Sequence, residues 1–439
     1  MIGSAALRGI AGHLQTPLYR DAYALVVSSG LTSALGVAYW ALGARYFAPE
    51  QIGVAAVLLS ALLLLSSLTQ LNARVALVRF VPQAGRHSMR FVALWYLSTG
   101  FLGIFVGLVF LVTLDFWTSA SPSLAVLHDP YLGPWFVASI AIWSFFNLQD
   151  GLLTGLGKAT IVPFENGAYA AAKLLLLALF ASWAGPAAVL VSWTLPAAVV
   201  VAVISSYAFA RWIPRHAAQA EQRTLSMSTP TVARFLALDY VAYVLAILTA
   251  TLLPMVVVAF GGPAQGAYFY IPWVILTSLM LVPVYLSTSL TVQAAKDPLA
   301  LAGNLRPVLM HVLRLLVPIV IGIVLIAPLI LDIFGETYAA EGSDLLRVAS
   351  VGLVPYAVNV LYLAVARVRG RGRVIVAIQA SLTVLTLGLS VVLLPVLGIV
   401  GAGIAWTAAN TMVAGIVFQF GLRPLLTRHN TESTFLSVK

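Results

Sequence analysis

Charged side chains inside apolar segments are the groups of this sequence best placed to do chemistry. Lys173 lies in the middle of the apolar segment PFENGAYAAAKLLLLALF, and Asn166 is seven residues before it, on the same face of a predicted helix. An ammonium group at membrane depth is costly and needs a partner. We expect Lys173 to face a central cavity, where it binds a phosphate or pairs with a carboxylate. The alternative is a structurally paired lysine, or one whose ammonium extends to the membrane surface.

Three arginines at the ends of apolar runs are candidates for binding an anionic headgroup. The first run ends with Tyr39 and Trp40, which we expect at the membrane interface, and Arg45 follows them. Arg74 and Arg79 frame the end of the second run, in LNARVALVRFVP. A guanidinium group binds a phosphate through two parallel hydrogen bonds. The alternative is that Arg45 stabilises a helix C-terminus and contacts lipid phosphate, while the other two are ordinary loop charges.

Three acidic residues are candidates for ion coupling or for salt bridges. Asp150 lies near the C-terminal end of a predicted helix, where the helix dipole disfavours an anion. We therefore predict a cationic partner for it, either Lys158 or Lys173. Glu165 and Asp239 lie near predicted helix N-termini, where capping of the helix is the alternative explanation.

The sequence lacks the residue patterns of an enzyme, a metal site or an ATP site. Its six histidines are scattered and mostly in predicted loops, and it has no cysteine. The segment 151–158 resembles a phosphate-binding loop, but five residues separate its glycines instead of four, and no strand precedes it. We therefore predict no cofactor and no use of ATP. An ion gradient is the remaining energy source for any driven transport.

The composition of the chain is that of a helical membrane protein. Of its 439 residues, 61% are hydrophobic and 9% are charged, and its mean hydropathy is +1.00, so too few polar groups exist to cover a soluble surface. Apolar runs long enough to cross a bilayer recur along the whole chain. Twelve spans are predicted, at residues 22–44, 52–71, 91–114, 134–153, 163–183, 187–209, 236–260, 267–291, 308–331, 346–366, 374–394 and 399–421.

The basic residues predict how the spans are oriented. Of the 24 lysines and arginines, 20 fall in loops and termini that share one side of the membrane if the N-terminus is cytoplasmic. The positive-inside rule therefore predicts that both termini are cytoplasmic. The net charge of +10 then reflects cytoplasmic loops and contact with anionic lipid, not nucleic acid. Residues 1–20 carry polar and charged groups and show no cleavable signal peptide.

The sequence also repeats itself. Three pairs of landmarks share an offset of 212 to 214 residues: Gly185 and Gly398, Asn147 and Asn359, and Pro49 and Pro263. One offset for all three predicts two pseudo-symmetric lobes of six helices each, with the same orientation and a pathway between them. We place the N-terminal lobe at 1–210, a cytoplasmic linker at 211–234, the C-terminal lobe at 235–422 and a cytoplasmic tail at 423–439.

Five segments carry a resemblance to a known family: GLTSALGVAYWALGARYFAPEQIG, LNARVALVRFVP, DGLLTGLGKATIVPFENGAYAAAKLLLL, IFGETYAAEGSDLLR and LGIVGAGIAWT. Over essentially the whole chain, the sequence resembles the polysaccharide (O-antigen) flippases of the multidrug/oligosaccharidyl-lipid/polysaccharide exporter (MOP) superfamily. The resemblance implies an all-α, MATE-like fold around a cationic cavity. It also implies transfer of undecaprenyl-pyrophosphate-linked glycan from the inner to the outer leaflet of the cytoplasmic membrane. Arg45, Asp150, Asn166 and Lys173 fall within the matching motifs.

The expected partners are a lipid-linked glycan and membrane lipids, with a polysaccharide polymerase and glycosyltransferases as further partners of a monomeric flippase. Three other functions compete with this one. A MATE-like exporter of drugs or small metabolites predicts an acidic or aromatic cavity without Lys173 and the arginines. A membrane glycan polymerase or ligase needs a large outer loop, and the segment 115–133 is too short for one. A membrane partner without activity of its own, in an envelope-synthesis complex, is the third.

Overall fold

The computed structural model describes residues 17–180, 185–219, 230–296 and 300–425, and within these ranges the regular structure is entirely helical. The helices of the first half are α1 (Pro17–Tyr46), α2 (Pro49–Thr69), α3 (Ala73–Phe80), α4 (Ser88–Val112), α5 (Leu114–Ala120), α6 (Leu132–Gly155), α7 (Val162–Phe180), α8 (Gly185–Tyr207) and α9 (Ile213–Gln219). Those of the second half are α10 (Pro230–Lys296), α11 (Ala300–Asp332), α12 (Glu336–Val351), α13 (Leu353–Val368) and α14 (Gly372–Ile416).

The helices are those of a multi-pass membrane protein. Among the described residues, seven are long and apolar enough to cross a membrane, or eight if the bent pair α12 and α13 forms one span. Two of them, α10 and α14, exceed the length of a single span, and each contains a glycine with a left-handed backbone, Gly262 (φ 78°) and Gly398 (φ 58°). Glycine adopts this conformation without strain, so each long helix is broken at that residue. The count of twelve spans and the orientation stay predictions.

The chain forms two compact units. Unit 1 contains the described residues of Met1–Tyr46, Thr69–Leu108 and Trp135–Leu225. Unit 2 contains those of Phe47–Leu68, Val109–Pro134 and Ser226–Lys439. Compactness therefore groups most of α2 with the C-terminal helices, whereas the predicted lobes follow the order of the chain.

Within unit 2, α2 packs against the second part of α10 through two glycines. A Cβ atom added to Gly53 would overlap the carbonyl oxygen of Pro263, and one added to Gly266 would lie 3.8 Å from the Gly53 Cα. Backbones in membrane proteins approach this closely where small residues form the contact. Gly53 and Gly266 are 213 residues apart, which is the offset of the repeat, so equivalent residues of the two halves contact each other.

Within unit 1, glycines allow other helices to approach α6. A Cβ atom at Gly103 of α4 would lie 3.0 Å from the Ala141 Cα of α6. A Cβ atom at Gly151 of α6 would lie 2.6 Å from the Arg74 carbonyl oxygen of α3. The second contact brings the backbone of a basic segment against the end of α6, and this decides the surroundings of Asp150.

The repeat extends to aromatic packing inside each unit. In unit 1 the rings of Trp143 and Trp193 are 5.9 Å apart and inclined by 44°. In unit 2 the rings of Tyr356 and Trp406 are 6.0 Å apart and inclined by 35°. Both members of the second pair lie 213 residues after those of the first. The two halves therefore share a packing motif as well as sequence landmarks.

We predict that Gly53→Leu destabilises the protein, because the added side chain would overlap the Pro263 backbone, which cannot move without breaking the contact between α2 and α10. Overpacking of this kind costs about 1–3 kcal/mol or more. Thermal unfolding of the purified protein in detergent would show a Tm several degrees below that of the wild type. Gly36→Leu is the matched control, because a Cβ atom at Gly36 meets nothing within 4 Å. An equal Tm for both variants would contradict the predicted role of Gly53.

Candidate functional site

Lys173 is buried among aromatic rings inside unit 1. Only 6% of its surface is exposed, near the middle of α7. Its ammonium nitrogen lies 3.7 Å from the ring centre of Trp193 on α8, 4.8 Å from that of Tyr39 on α1 and 5.3 Å from that of Tyr169 on α7. We call these three residues the aromatic enclosure. The elements that form the site are therefore α1, α7 and α8.

The rings of the aromatic enclosure are fixed by their own contacts. Tyr169 lies four residues before Lys173, so the two side chains share one face of α7. The hydroxyl of Tyr39 donates to the Val189 carbonyl oxygen at 3.2 Å and lies 2.9 Å from the Ser192 hydroxyl. These bonds join α1 to α8. The enclosure is therefore built before any ligand binds.

The electrostatics of the enclosure leave the ammonium group only partly compensated. No carboxylate of the described residues forms an ion pair with Lys173. A cation–π contact contributes about 0.5–1 kcal/mol at exposed sites and about 2 kcal/mol when desolvated. Removing an ammonium ion from water costs several kcal/mol even after the protein relaxes. Lys173 therefore has the capacity to bind an anion.

Two other groups of the enclosure also lack partners. The Tyr169 hydroxyl and the Trp193 indole nitrogen are buried and have no hydrogen-bond partner. Both can donate a hydrogen bond, and the ammonium can donate three. Donors of this kind, with one positive charge, suit an oxygen-rich anion such as a phosphate.

Asn166 occupies the same face of α7 as Lys173, about 10 Å along the helix axis. It is half-buried, and its neighbour Gly167 borders open space, because an added Cβ atom would meet nothing within 4 Å. Gly36 of α1, the helix that packs on α7, borders open space in the same way. Asn166 does not belong to the aromatic enclosure.

Asp150 of α6 lies beside Arg74 of α3. The Asp150 Oδ2 and Arg74 Nη2 atoms are 3.8 Å apart, which is an ion pair but too long for a hydrogen bond. The prediction that Lys158 or Lys173 is the partner of Asp150 is therefore wrong. The reason is the close approach of α3 to α6 at Gly151, a tertiary contact that neither helix reveals in its own sequence.

Glu165 is a buried carboxylate in the first turn of α7. It is 5% exposed, and neither carboxylate oxygen has a hydrogen-bond partner, so Glu165 does not cap the helix. The negative charge of Asp150 acts on it electrostatically. The N-terminus of a helix stabilises an anion by about 0.3–1 kcal/mol. This is less than the several kcal/mol that burial of an unpaired ion costs. Glu165 is therefore an unsatisfied polar group in this state of the protein.

The remaining predicted residues lie outside the enclosure. Arg45 is exposed in the last turn of α1, six residues beyond Tyr39. Arg79 is exposed on α3, where its guanidinium carbon lies 5.6 Å from the ring centre of Phe80. Asp239 belongs to unit 2, where its Oδ1 atom accepts a hydrogen bond from the Arg367 Nε atom at 3.2 Å.

Sequence reasoning missed the aromatic residues of the site. Tyr39 and Trp40 were expected at the membrane interface, but they are 0% and 2% exposed and pack inside unit 1. Their rings are 5.5 Å and 6.3 Å from that of Trp193. The one available signal was Trp193 itself, which recurs as Trp406 at the offset of the repeat.

We predict that Lys173→Met raises the Tm of the purified protein, because the variant replaces a buried charge that has no ionic partner with an apolar side chain of similar length. Such replacements stabilise a protein by about 1–4 kcal/mol. Lys158→Met is the control, because Lys158 is exposed and its replacement should leave the Tm unchanged. A Tm several degrees lower for Lys173→Met would show that the ammonium has an ionic partner after all.

Comparison with known proteins supports the fold. The sequence matches no protein-family model and no curated protein. The structure is similar to an inward-facing multidrug resistance MATE family transporter of the MOP superfamily (TM-score 0.69, 16% identity, 91% of this chain and 95% of that one). It is also similar to the lipid II flippase MurJ in an inward closed conformation (TM-score 0.71, 13% identity, 90% and 86%).

A third similar structure is a MOP superfamily transporter from Pyrococcus furiosus with a binding pocket of reversed polarity (TM-score 0.65, 16% identity, 92% of this chain and 95% of that one). These likenesses extend over nine-tenths of the chain at low sequence identity. The chain therefore has the fold of the MOP superfamily transporters.

Proposed function

We propose that this protein is a flippase that moves a polyprenyl-pyrophosphate-linked oligosaccharide from the inner to the outer leaflet of the cytoplasmic membrane, for synthesis of a cell-surface polysaccharide. The observation that carries the proposal is the buried ammonium of Lys173, which has no carboxylate partner among the described residues. The fold alone does not choose the cargo, because it is shared by a multidrug transporter and a lipid II flippase.

The cargo explains why a cation should be held at this depth. A pyrophosphate group cannot enter hydrocarbon unless other groups replace its water, because the desolvation of an unpaired anion is prohibitive. Lys173 supplies a positive charge, and Tyr169 and Trp193 supply hydrogen-bond donors without partners of their own. The polyprenyl tail remains in the bilayer while the headgroup crosses.

Other basic and polar residues have places on this route. Arg74 and Arg79 are exposed on α3, at the end of the molecule predicted to be cytoplasmic, where they collect the headgroup from the inner leaflet. Asn166 binds it between α3 and Lys173. Arg45, in the last turn of α1, receives the phosphate at the opposite end.

The proposal includes the predicted architecture of twelve spans, cytoplasmic termini and two lobes, at 1–210 and 235–422. The protein acts as a monomer without ATP. Its partners are the lipid-linked glycan, membrane lipids, and the polymerase and glycosyltransferases that consume and supply the glycan.

A second candidate function is the export of drugs or small metabolites. The aromatic enclosure favours it, because aromatic rings suit flat organic molecules, and so does the buried Glu165. Lys173 argues against a cationic drug, because two cations at short distance in a medium of low dielectric constant repel each other.

We predict that Lys173→Ala and Arg45→Ala each reduce translocation of a fluorescent lipid-linked sugar in proteoliposomes. Loss of one charge-assisted hydrogen bond to an anion costs about 1.5–3 kcal/mol, which corresponds to a rate lower by about tenfold to a hundredfold. Lys158→Ala is the matched control, because this exposed lysine belongs to no site and should translocate like the wild type.

Two outcomes would overturn these assignments. Full translocation by both variants would remove Lys173 and Arg45 from the route. Absence of translocation by the wild type, together with efflux of a drug from the same proteoliposomes, would establish the exporter function in place of the flippase.

A further inference from the structure

We propose that Glu165 is a proton-binding site and that its proton is exchanged through the neighbouring pair of Asp150 and Arg74. This inference rests on the proposed function in one respect, since it makes the proton the ion that drives the flippase. The site itself stands on the geometry of unit 1 alone.

The first observation is the state of the Glu165 side chain. It is 5% exposed, and both carboxylate oxygens lack a hydrogen-bond partner. A neutral carboxyl group tolerates such a position, whereas an ionised one requires a donor or a counter-ion. Glu165 therefore holds a proton in this state of the protein.

The second observation is the path by which the proton can leave. Asp150 is near enough to act on Glu165 electrostatically, and its side chain is 21% exposed. Arg74 lies 3.8 Å from Asp150, and its side chain is 59% exposed. The O–H bond of Glu165 breaks, the Asp150 carboxylate accepts the proton and releases it to water, and the negative charge that remains on Glu165 attracts Arg74.

The charged groups around Glu165 support exchange of a proton and not of a metal ion. The titratable neighbours from the packed helices are Arg74 on α3, Tyr96 on α4 and Asp150 on α6. Lys173 lies two turns further along α7, and α1 contributes the Tyr39 hydroxyl beside it. Among the described residues, no three acidic, histidine or cysteine side chains are grouped to hold a metal ion, and a hard cation needs six or more oxygen ligands.

Deprotonation changes the balance of charge at this end of unit 1. With Glu165 neutral, one carboxylate faces one guanidinium group, and their long separation leaves the pair weak. With Glu165 ionised, two carboxylates compete for Arg74. Because the α3 backbone at Arg74 lies directly against Gly151 of α6, a movement of Arg74 is transmitted to the packing of α3 on α6.

Infrared difference spectroscopy of the purified protein tests the site without any assay of transport. A pH titration of the wild type should show the carbonyl stretch of one buried protonated carboxyl group, and Glu165→Gln should remove that band. Glu336→Gln is the matched control, because Glu336 is an exposed glutamate in the first turn of α12. Asp150→Asn should shift the titration of the band but keep it. A band that survives in Glu165→Gln would overturn the proposal.

Proteoliposomes with an imposed pH gradient test the coupling. We expect the gradient to accelerate translocation of the lipid-linked sugar by the wild type at least severalfold, and Glu165→Gln to lose this acceleration while it retains exchange at equal pH. The same acceleration in Glu165→Gln would overturn the coupling role. A titrating band in a wild type that translocates no lipid-linked sugar would overturn the proposed function and leave the proton site standing.

Discussion

A buried positive charge without a carboxylate partner is the constraint on which the arrangement of unit 1 depends. Lys173 can remain inside the protein only if polarisable groups surround it, because an isolated ammonium ion in an apolar medium is strongly disfavoured. Three helices each contribute one ring to this task, and the Tyr39 hydroxyl ties two of those helices together. The same residue thus explains the order of the local fold and the anionic character of the expected ligand.

Close contact between backbones is the second element of the design. The interior of a membrane protein gains little from the hydrophobic effect between helices, so association relies on dense packing and on small residues. Gly53 and Gly266 supply this in unit 2, and Gly103 and Gly151 supply it in unit 1. The contact at Gly151 has a further effect, because it delivers a guanidinium group to a carboxylate at a helix C-terminus, where an anion is least favoured.

The sequence predicted well whatever depends on the contrast between charged and apolar residues. Apolar runs identified a helical membrane protein, and a lysine in the middle of such a run drew attention to the position around which the aromatic enclosure is built. Contacts between distant segments could not be predicted in this way. Tyr39 and Trp40 were expected at the interface because a residue facing lipid and a residue facing protein are equally apolar, and hydropathy does not separate them. The Arg74 partner of Asp150 and the grouping of α2 with unit 2 depend on tertiary packing that chain order conceals.

The contact between Gly53 and Gly266 has a consequence for the history of the chain. Residues that touch their own repeat equivalents behave like residues of an isologous dimer interface, in which one gene position supplies both sides of the contact. In a half-length ancestor that dimerised, any mutation of this glycine would have placed a side chain on both partners at once. Fusion of two copies into one gene made the two positions independent. Glycine is nevertheless present at both, so the spatial restriction has outlasted the symmetry that imposed it.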